Sequence, residues 1–245
     1  MTRRTRRRVA IVAMAALLGA TAPAWAPPLL GRMNVFRVEA VEVTGNRYLA
    51  ADSVVARAAV PDSASVWHDP EPWLGRVRSH PLVQEASVRR SGLNRLELRV
   101  VEVEPVALTA TPALVPVDAG GRILPLDPAR ASLDLPILGT RPEMEDDRIT
   151  DDATRRLLDL VVRLREAEPA FVETASVFAV GPGGSVQIQL VASGACETVL
   201  LPADDPIGGL HRVEMALGDY GGATSVEAAD ARFEGQVVLR LGVDR

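Results

Sequence analysis

Polar and apolar residues alternate along the segment Phe36 to Asn46, where Val38, Val41 and Val43 are separated by Glu39, Glu42 and Thr44 with one slip at Ala40. That period of two predicts a strand, and Gly45-Asn46 supplies the turn that ends it. Behind Asp52, a residue able to cap a helix, Val54, Val55 and Ala58 recur at helical spacing, and Pro61 forbids continuation beyond Ala59. A second short helix is predicted after the Pro-rich stretch Asp69 to Pro72, with Trp73, Leu74 and Val77 on one side and Pro81 as its stop. Two further alternating segments follow, Val83 to Arg90 and Arg95 to Val103, joined at Ser91-Gly92-Leu93-Asn94. In the second of them Leu96, Leu98 and Val100 face one way, Glu97 and Arg99 the other. Residues 35–104 thus spell β-α-α-β-β, a helix pair on one face of a small three-stranded sheet.

Residues 105–245 read as a separate unit. Pro116 to Pro142 is rich in Pro, Gly and Asp with short apolar pieces, a composition of short strands and turns. A helix is predicted from a cap at Thr150: Asp151 and Asp152 sit in its first turn, Arg163 and Arg165 in its last, and Leu157, Leu158, Val161 and Leu164 recur along one face. Phe171 to Val180 and Ser185 to Val191 predict a hairpin around Gly181-Pro182-Gly183-Gly184, and Glu197 to Leu201 another strand. Pro206 opens a last helix, with Ile207, Leu210, Val213 and Leu217 toward the core and Gly218 as its stop. Strands near Thr224 to Asp230 and Gln236 to Leu241 close the chain. This is an α+β domain with a mostly antiparallel sheet.

Ahead of both units, residues 1–8 carry Arg3, Arg4, Arg6, Arg7 and Arg8, and the 23 residues from Val9 to Gly31 carry no charge. A helix of that length would rise through the hydrocarbon of a bilayer, about 30 Å thick. It predicts a single transmembrane anchor over 9–31, with Val9, Leu17 and Leu18 in the apolar run and Trp25 at the far interface. The basic residues would hold the N-terminus in the cytoplasm. A cleaved secretory signal is the alternative, since Ala24 and Ala26 flank Trp25 in an A-x-A pattern, although Pro27 would follow the cut. Either way residues 32–245 lie outside the cytoplasm, in the periplasm or its equivalent.

Charge and chemistry narrow the function by exclusion. Of the 27 basic residues, all arginine, five lie before residue 9, which leaves 22 against 32 acidic ones, a net charge of −10. A body so acidic does not suit nucleic acid. One cysteine, Cys196, excludes an internal disulfide framework and Cys-rich metal centres. His68, His80 and His211 stand apart, with no H-E-x-x-H spacing. Ser185 lies outside a G-x-S-x-G elbow, and Gly181, Gly183 and Gly184 lack the Gly-Lys-Ser/Thr of a phosphate loop. Asp146, Asp147, Asp151 and Asp152 form an acidic patch that a linker and a helix start explain. Trp67 and Trp73 read as core residues. No catalytic, metal or cofactor site is predicted. The final strand, by contrast, is apolar and near the terminus, where a sheet edge open to strand addition is expected; an ordinary buried core strand is the other reading.

The order and motifs Val41 to Asn46 (VEVTGN), His80 to Arg90 (HPLVQEASVRR), Leu96 to Ala107 (LELRVVEVEPVA), Val117 to Leu124 (VDAGGRIL), Leu135 to Thr140 (LPILGT) and Ala229 to Leu241 resemble those of the FtsQ/DivIB cell-division proteins. The resemblance implies a POTRA domain over 35–104 and that family's C-terminal β domain over 105–245. It further implies a non-enzymatic, single-pass inner-membrane scaffold at the division septum, in a complex that governs septal peptidoglycan synthesis. Its partners would be FtsB/DivIC-type and FtsL-type single-span coiled-coil proteins. The first of these would add a segment to the last strands, with Arg232 pairing an acidic residue of the partner, Phe233 anchoring an apolar one, and Gln236, Val237, Val238, Leu239 and Leu241 forming the edge. The POTRA part resembles the segment which that family uses for recruitment to the division site. Two other readings stay open: an outer-membrane assembly or secretion factor bearing a POTRA domain, with little room left for a barrel, and an exported enzyme with an unfamiliar site.

Overall fold

A computed structural model describes residues 12–14, 16–17, 19–21, 26, 29–191, 196–222 and 224–242. Among the described residues no helix is long and apolar enough to cross a membrane, so the expected transmembrane helix over 9–31 is not upheld. The sequence supplies a physical reason. Pro23, Pro27 and Pro28 each remove a backbone donor, and the 14 uncharged residues before Pro23 would rise only about 21 Å as a helix, well short of the bilayer core. Of the four residues assigned to the anchor, Leu17 is helical and exposed. Val9, Leu18 and Trp25 lie outside the described residues.

The chain forms two compact units, Met1–Val103 and Glu104–Arg245. In the first, strand β1 (Ala40–Thr44) leads through helices α1 (Ala51–Ala58) and α2 (Glu71–Arg78) to β2 (Val83–Arg90) and β3 (Arg95–Glu102). The sheet order is β1-β3-β2, with β1 parallel to β3 and β2 antiparallel to it. Its core is built from the residues that the two periods picked out: Val54, Ala58, Trp73, Leu74 and Val77 of the helices pack with Leu96, Leu98 and Val100 of β3. Each buried Val or Leu among them contributes about 1.5–3 kcal/mol on burial.

Polar contacts fix the connections in this unit. Helix α1 has Ala50 at its N-cap, with no side-chain cap; Asp52 falls within the first turn, where a carboxylate meets the positive end of the helix dipole. The helix ends on Ala59 in a left-handed conformation (φ 46°). Its last carbonyls are taken by Arg76 of α2, whose Nε and Nη2 donate to Ala58 O at 2.9 and 2.6 Å. Glu102 at the end of β3 accepts the backbone N–H groups of Tyr48 and Leu49, at 2.6 and 3.0 Å, and so ties down the loop after β1. Trp73 is buried, as expected, whereas Trp67 is half-buried, set edge-on to Phe36 and under the Arg90 guanidinium.

The second unit carries an eight-stranded sheet. Its strands are β4 (Ala107–Ala110), β5 (Leu114–Val117), β6 (Ile137–Leu138), β9 (Ala175–Val180), β10 (Val186–Leu190), β11 (Cys196–Leu201), β12 (Val226–Asp230) and β13 (Val238–Leu241). They lie in the order β13-β12-β11-β10-β9-β6-β4-β5. Beside the sheet stands a two-stranded hairpin of β7 (Met144–Glu145) and β8 (Arg148–Ile149). The sheet expected to be mostly antiparallel is mixed: β12/β11, β9/β6 and β6/β4 run parallel, the other four pairs antiparallel. Each parallel pair needs a crossover. For β11 to β12 it is helix α5 (Pro206–Asp219), and for β6 to β9 it contains helices α3 (Asp152–Ala167) and α4 (Pro169–Thr174). Helix α4 occupies what the sequence suggested was the start of the hairpin strand, because Phe171 and Val172 are apolar in either structure and Pro169 suits a first helical turn.

Helix α3 lays Leu157, Leu158, Val161 and Leu164 on the sheet, where Phe178 and Ile188 lie at the centre of the core with no exposed surface. Its cap is Asp151 rather than Thr150. The Asp151 carboxylate accepts Thr154 N–H at 2.8 Å and Glu143 N–H at 3.1 Å, joining the helix start to the preceding segment. Asp151→Ala should cost about 1–2 kcal/mol, the usual worth of a cap, plus the lost tie to Glu143, read as a lower urea midpoint with unchanged m-value. An unchanged midpoint would show that the cap is redundant.

Candidate functional site

The two ends of the eight-stranded sheet are finished differently. At the β5 end, Pro116 has no N–H to offer, and the chain folds back so that Leu124 N–H donates to Pro116 O at 2.8 Å and Val117 bridges Ile123. Asp118 stabilises that return by accepting the N–H groups of Gly120 and Arg122, both at 2.9 Å. That edge is sealed in the manner by which sheets avoid unwanted pairing. At the other end β13 pairs only with β12, and among the described residues no strand lies along its outer side.

Strand β13 begins at Val238, two residues later than expected. Gln236 and Val237 belong to the connection from β12, where Gly235 takes a left-handed φ of 71° and Gln236 N–H reaches Phe233 O. Val237 and Leu239 pack on the core, whereas Val238 and Leu241 are 49% and 44% exposed. The last strand is therefore anchored along one face and open along its outer side, instead of buried in the core. Phe233 stands at the tip of the connection, 47% exposed, an apolar ring left about half open among the described residues.

Arg232 is held at the base of that tip by Asp230, the last residue of β12. The Asp230 carboxylate accepts the backbone N–H of Arg232 at 3.1 Å, its Nε–H at 2.8 Å and its Nη2–H at 2.6 Å. These bonds to Arg232 hold the Asp230 carboxyl below the usual carboxylate range, although partial burial opposes the shift. Ala231 between them is fully buried, with its N–H on Leu200 O. A second guanidinium lies nearby, Arg212 of α5, whose Nη2 reaches the Ala231 carbonyl at 3.4 Å and whose buried Nε makes no hydrogen bond among the described residues. The sequence singled out Arg232 and Phe233 but missed Asp230 and Arg212. The Asp-x-Arg spacing was a visible signal for the first; Arg212 is twenty residues away on a helix, and nothing local marks it.

The other residues considered for chemistry have structural occupations. His68 Nδ1 accepts Ser65 N–H, His80 Nδ1 accepts Leu82 N–H, and His211 Nε2 lies 3.0 Å from Glu168 Oε1. Cys196 is buried with its thiol on Thr198 O, and burial pushes its pKa up, away from a reactive thiolate. Ser185 donates to Pro182 O inside the β9–β10 turn, so the glycines there serve a hairpin. Asp146 and Asp147 form the tip of the β7–β8 hairpin.

The first unit, with its β-α-α-β-β order and a helix pair on a β1-β3-β2 sheet, is a POTRA domain. Residues 36–102 match the family model described as POTRA domain, FtsQ-type. That match supports a relationship with the FtsQ/DivIB proteins and stops before the C-terminal unit. A POTRA domain of this type is a non-catalytic scaffold domain and connects the chain with cell division. No curated protein matches the chain.

Proposed function

We propose that the protein is a non-enzymatic scaffold of the bacterial division complex, which captures an FtsB/DivIC-type partner by strand addition at β13 and through it an FtsL-type protein. The single observation that carries this reading is the open β13 edge, opposite an edge sealed by Pro116 and the return of residues 122–124. An added strand satisfies main-chain groups that the edge leaves unpaired, and the exposed Phe233 offers an apolar anchor beside it. The family supports a place at the septum on the inner membrane, where confinement of both partners raises their effective concentration and lets a modest interface suffice. The POTRA domain is the candidate for recruitment to that site.

The test is to tag the full-length protein in its own host, crosslink, solubilise the membranes and identify what is recovered. Small single-span coiled-coil proteins are the expected result; outer-membrane barrels or lipoproteins instead would overturn it. Within the same experiment Phe233→Ala should weaken capture about tenfold, the scale of a modest interface anchor. The melting temperature should stay unchanged, because the ring is already half in solvent. Equal recovery with and without the ring would remove Phe233 from the interface.

A further inference from the structure

The pair formed by Asp230 and Arg232 bears on how the edge selects its partner. Asp230 takes the side of the guanidinium formed by Nε and Nη2, at 2.8 and 2.6 Å. A guanidinium has five N–H groups in a planar fork, so this side-on pairing leaves the opposite, end-on face of Nη1 and Nη2 unengaged. Among the described residues no hydrogen bond is made by Nη1, and the side chain keeps 29% of its surface exposed. We propose that Asp230 is a positioning residue for partner capture, holding Arg232 at the rim of the open edge with its end-on face ready for a carboxylate carried by an extended partner segment. This rests on the strand-addition reading of β13.

The physical gain is one of order. A free arginine side chain surrenders rotamer entropy worth about 1.5–2 kcal/mol when it is fixed, and Asp230 has already fixed it before the partner arrives. The anchorage is firm because the same carboxylate also holds the Arg232 backbone N–H, and the neighbouring Ala231 is locked to Leu200 O in the core. Asp230 offsets the charge of Arg232 while Arg212 and Arg240 keep the surroundings cationic, so the directed fork of N–H groups supplies the short-range selection. It therefore suits a partner carboxylate that is delivered in register by the added strand.

The full-length protein carrying Asp230→Asn should bind the FtsB-type protein of its own host about tenfold more weakly, with Asp230→Glu within about threefold of the unmodified chain. In an Arg232→Ala background Asp230→Asn should have no further effect, since it acts only through the arginine. Melting curves of each variant separate folding from binding. An unchanged or tighter complex with Asp230→Asn, or an equal loss in the Arg232→Ala background, would overturn the positioning role. If Val238→Pro abolishes capture while Asp230→Asn leaves it intact, only the positioning role falls; if Val238→Pro has no effect either, the edge reading falls with it.

Discussion

Val238→Pro is expected to lower capture of an FtsB-type partner by about thirtyfold to a hundredfold, because the ring disrupts two or three strand hydrogen bonds worth about 1 kcal/mol each. Val238 pairs with Asp230 at the first rung of β13. Proline there removes one main-chain donor and restricts Val237 before it. If that donor faces the partner, the added strand loses a bond and meets the ring; if it faces β12, the hairpin opens and the template is lost. Both routes end in failed capture. The core of the second unit should survive, because Phe178, Ile188 and Leu164 lie on other elements and Val238 is itself half-exposed. Val238→Thr supplies the control: it keeps a strand-forming side chain and the N–H, so capture should persist if the main chain does the binding. Capture by the proline variant at the level of the unmodified protein would end the edge hypothesis.

Gly45→Ala should be the most damaging single-methyl change in the POTRA domain, at about 3 kcal/mol or more, from a positive φ and a steric collision together. Gly45 ends β1 at φ 81°, and a Cβ built there would run into the carbonyl oxygen of Val100 in the middle of β3. The neighbouring strand's backbone cannot yield without disturbing the β1–β3 ladder, whose register runs from Ala40↔Arg95 to Thr44↔Arg99. The loop that follows has no slack, since Tyr48 and Leu49 are held by Glu102. For a domain of this size such a loss is a fall of about 12 °C or more in melting temperature, measurable by calorimetry. Amide exchange should accelerate across β1 and β3. A melting point within about 2 °C of the unmodified protein would show that the loop relaxes where the geometry says it cannot.

How much of this was legible in the sequence depended on the range of the interaction. Leu96, Leu98 and Val100 announce β3 by a period of two, and Leu157, Leu158, Val161 and Leu164 announce α3 by a period near 3.6; both signals are local, and both elements stand where they were expected. Cap identity was off by one residue, because Thr150 and Asp151 are both capping types and only the contact with Thr154 N–H decides between them. Phe171 and Val172 were misassigned for lack of any period in so short a helix. The parallel pairings of β6 with β4 and β9 join two-residue segments across long stretches of chain, and no pattern within Ile137-Leu138 reveals them. The apolar run after Arg8 was long enough by count alone, but its prolines leave too short an uninterrupted rise. At the candidate site the strand, Arg232 and Phe233 were legible; the grip of Asp230 on Arg232 depends on where β12 ends, which is settled by the sheet.

The unequal ends of the eight-stranded sheet also fix what the protein can build. A sheet with two live ends can grow by adding copies indefinitely, as fibrils do. Here Pro116 and the return of residues 122–124 close one end, so among the described residues β13 is the one edge of this sheet left open, and under the proposed strand addition it would take a single strand. Two copies meeting through their free ends would make a closed pair and stop. If partners add at β13 as proposed, a site assembled from such units would have a countable composition, with one partner chain for each scaffold chain.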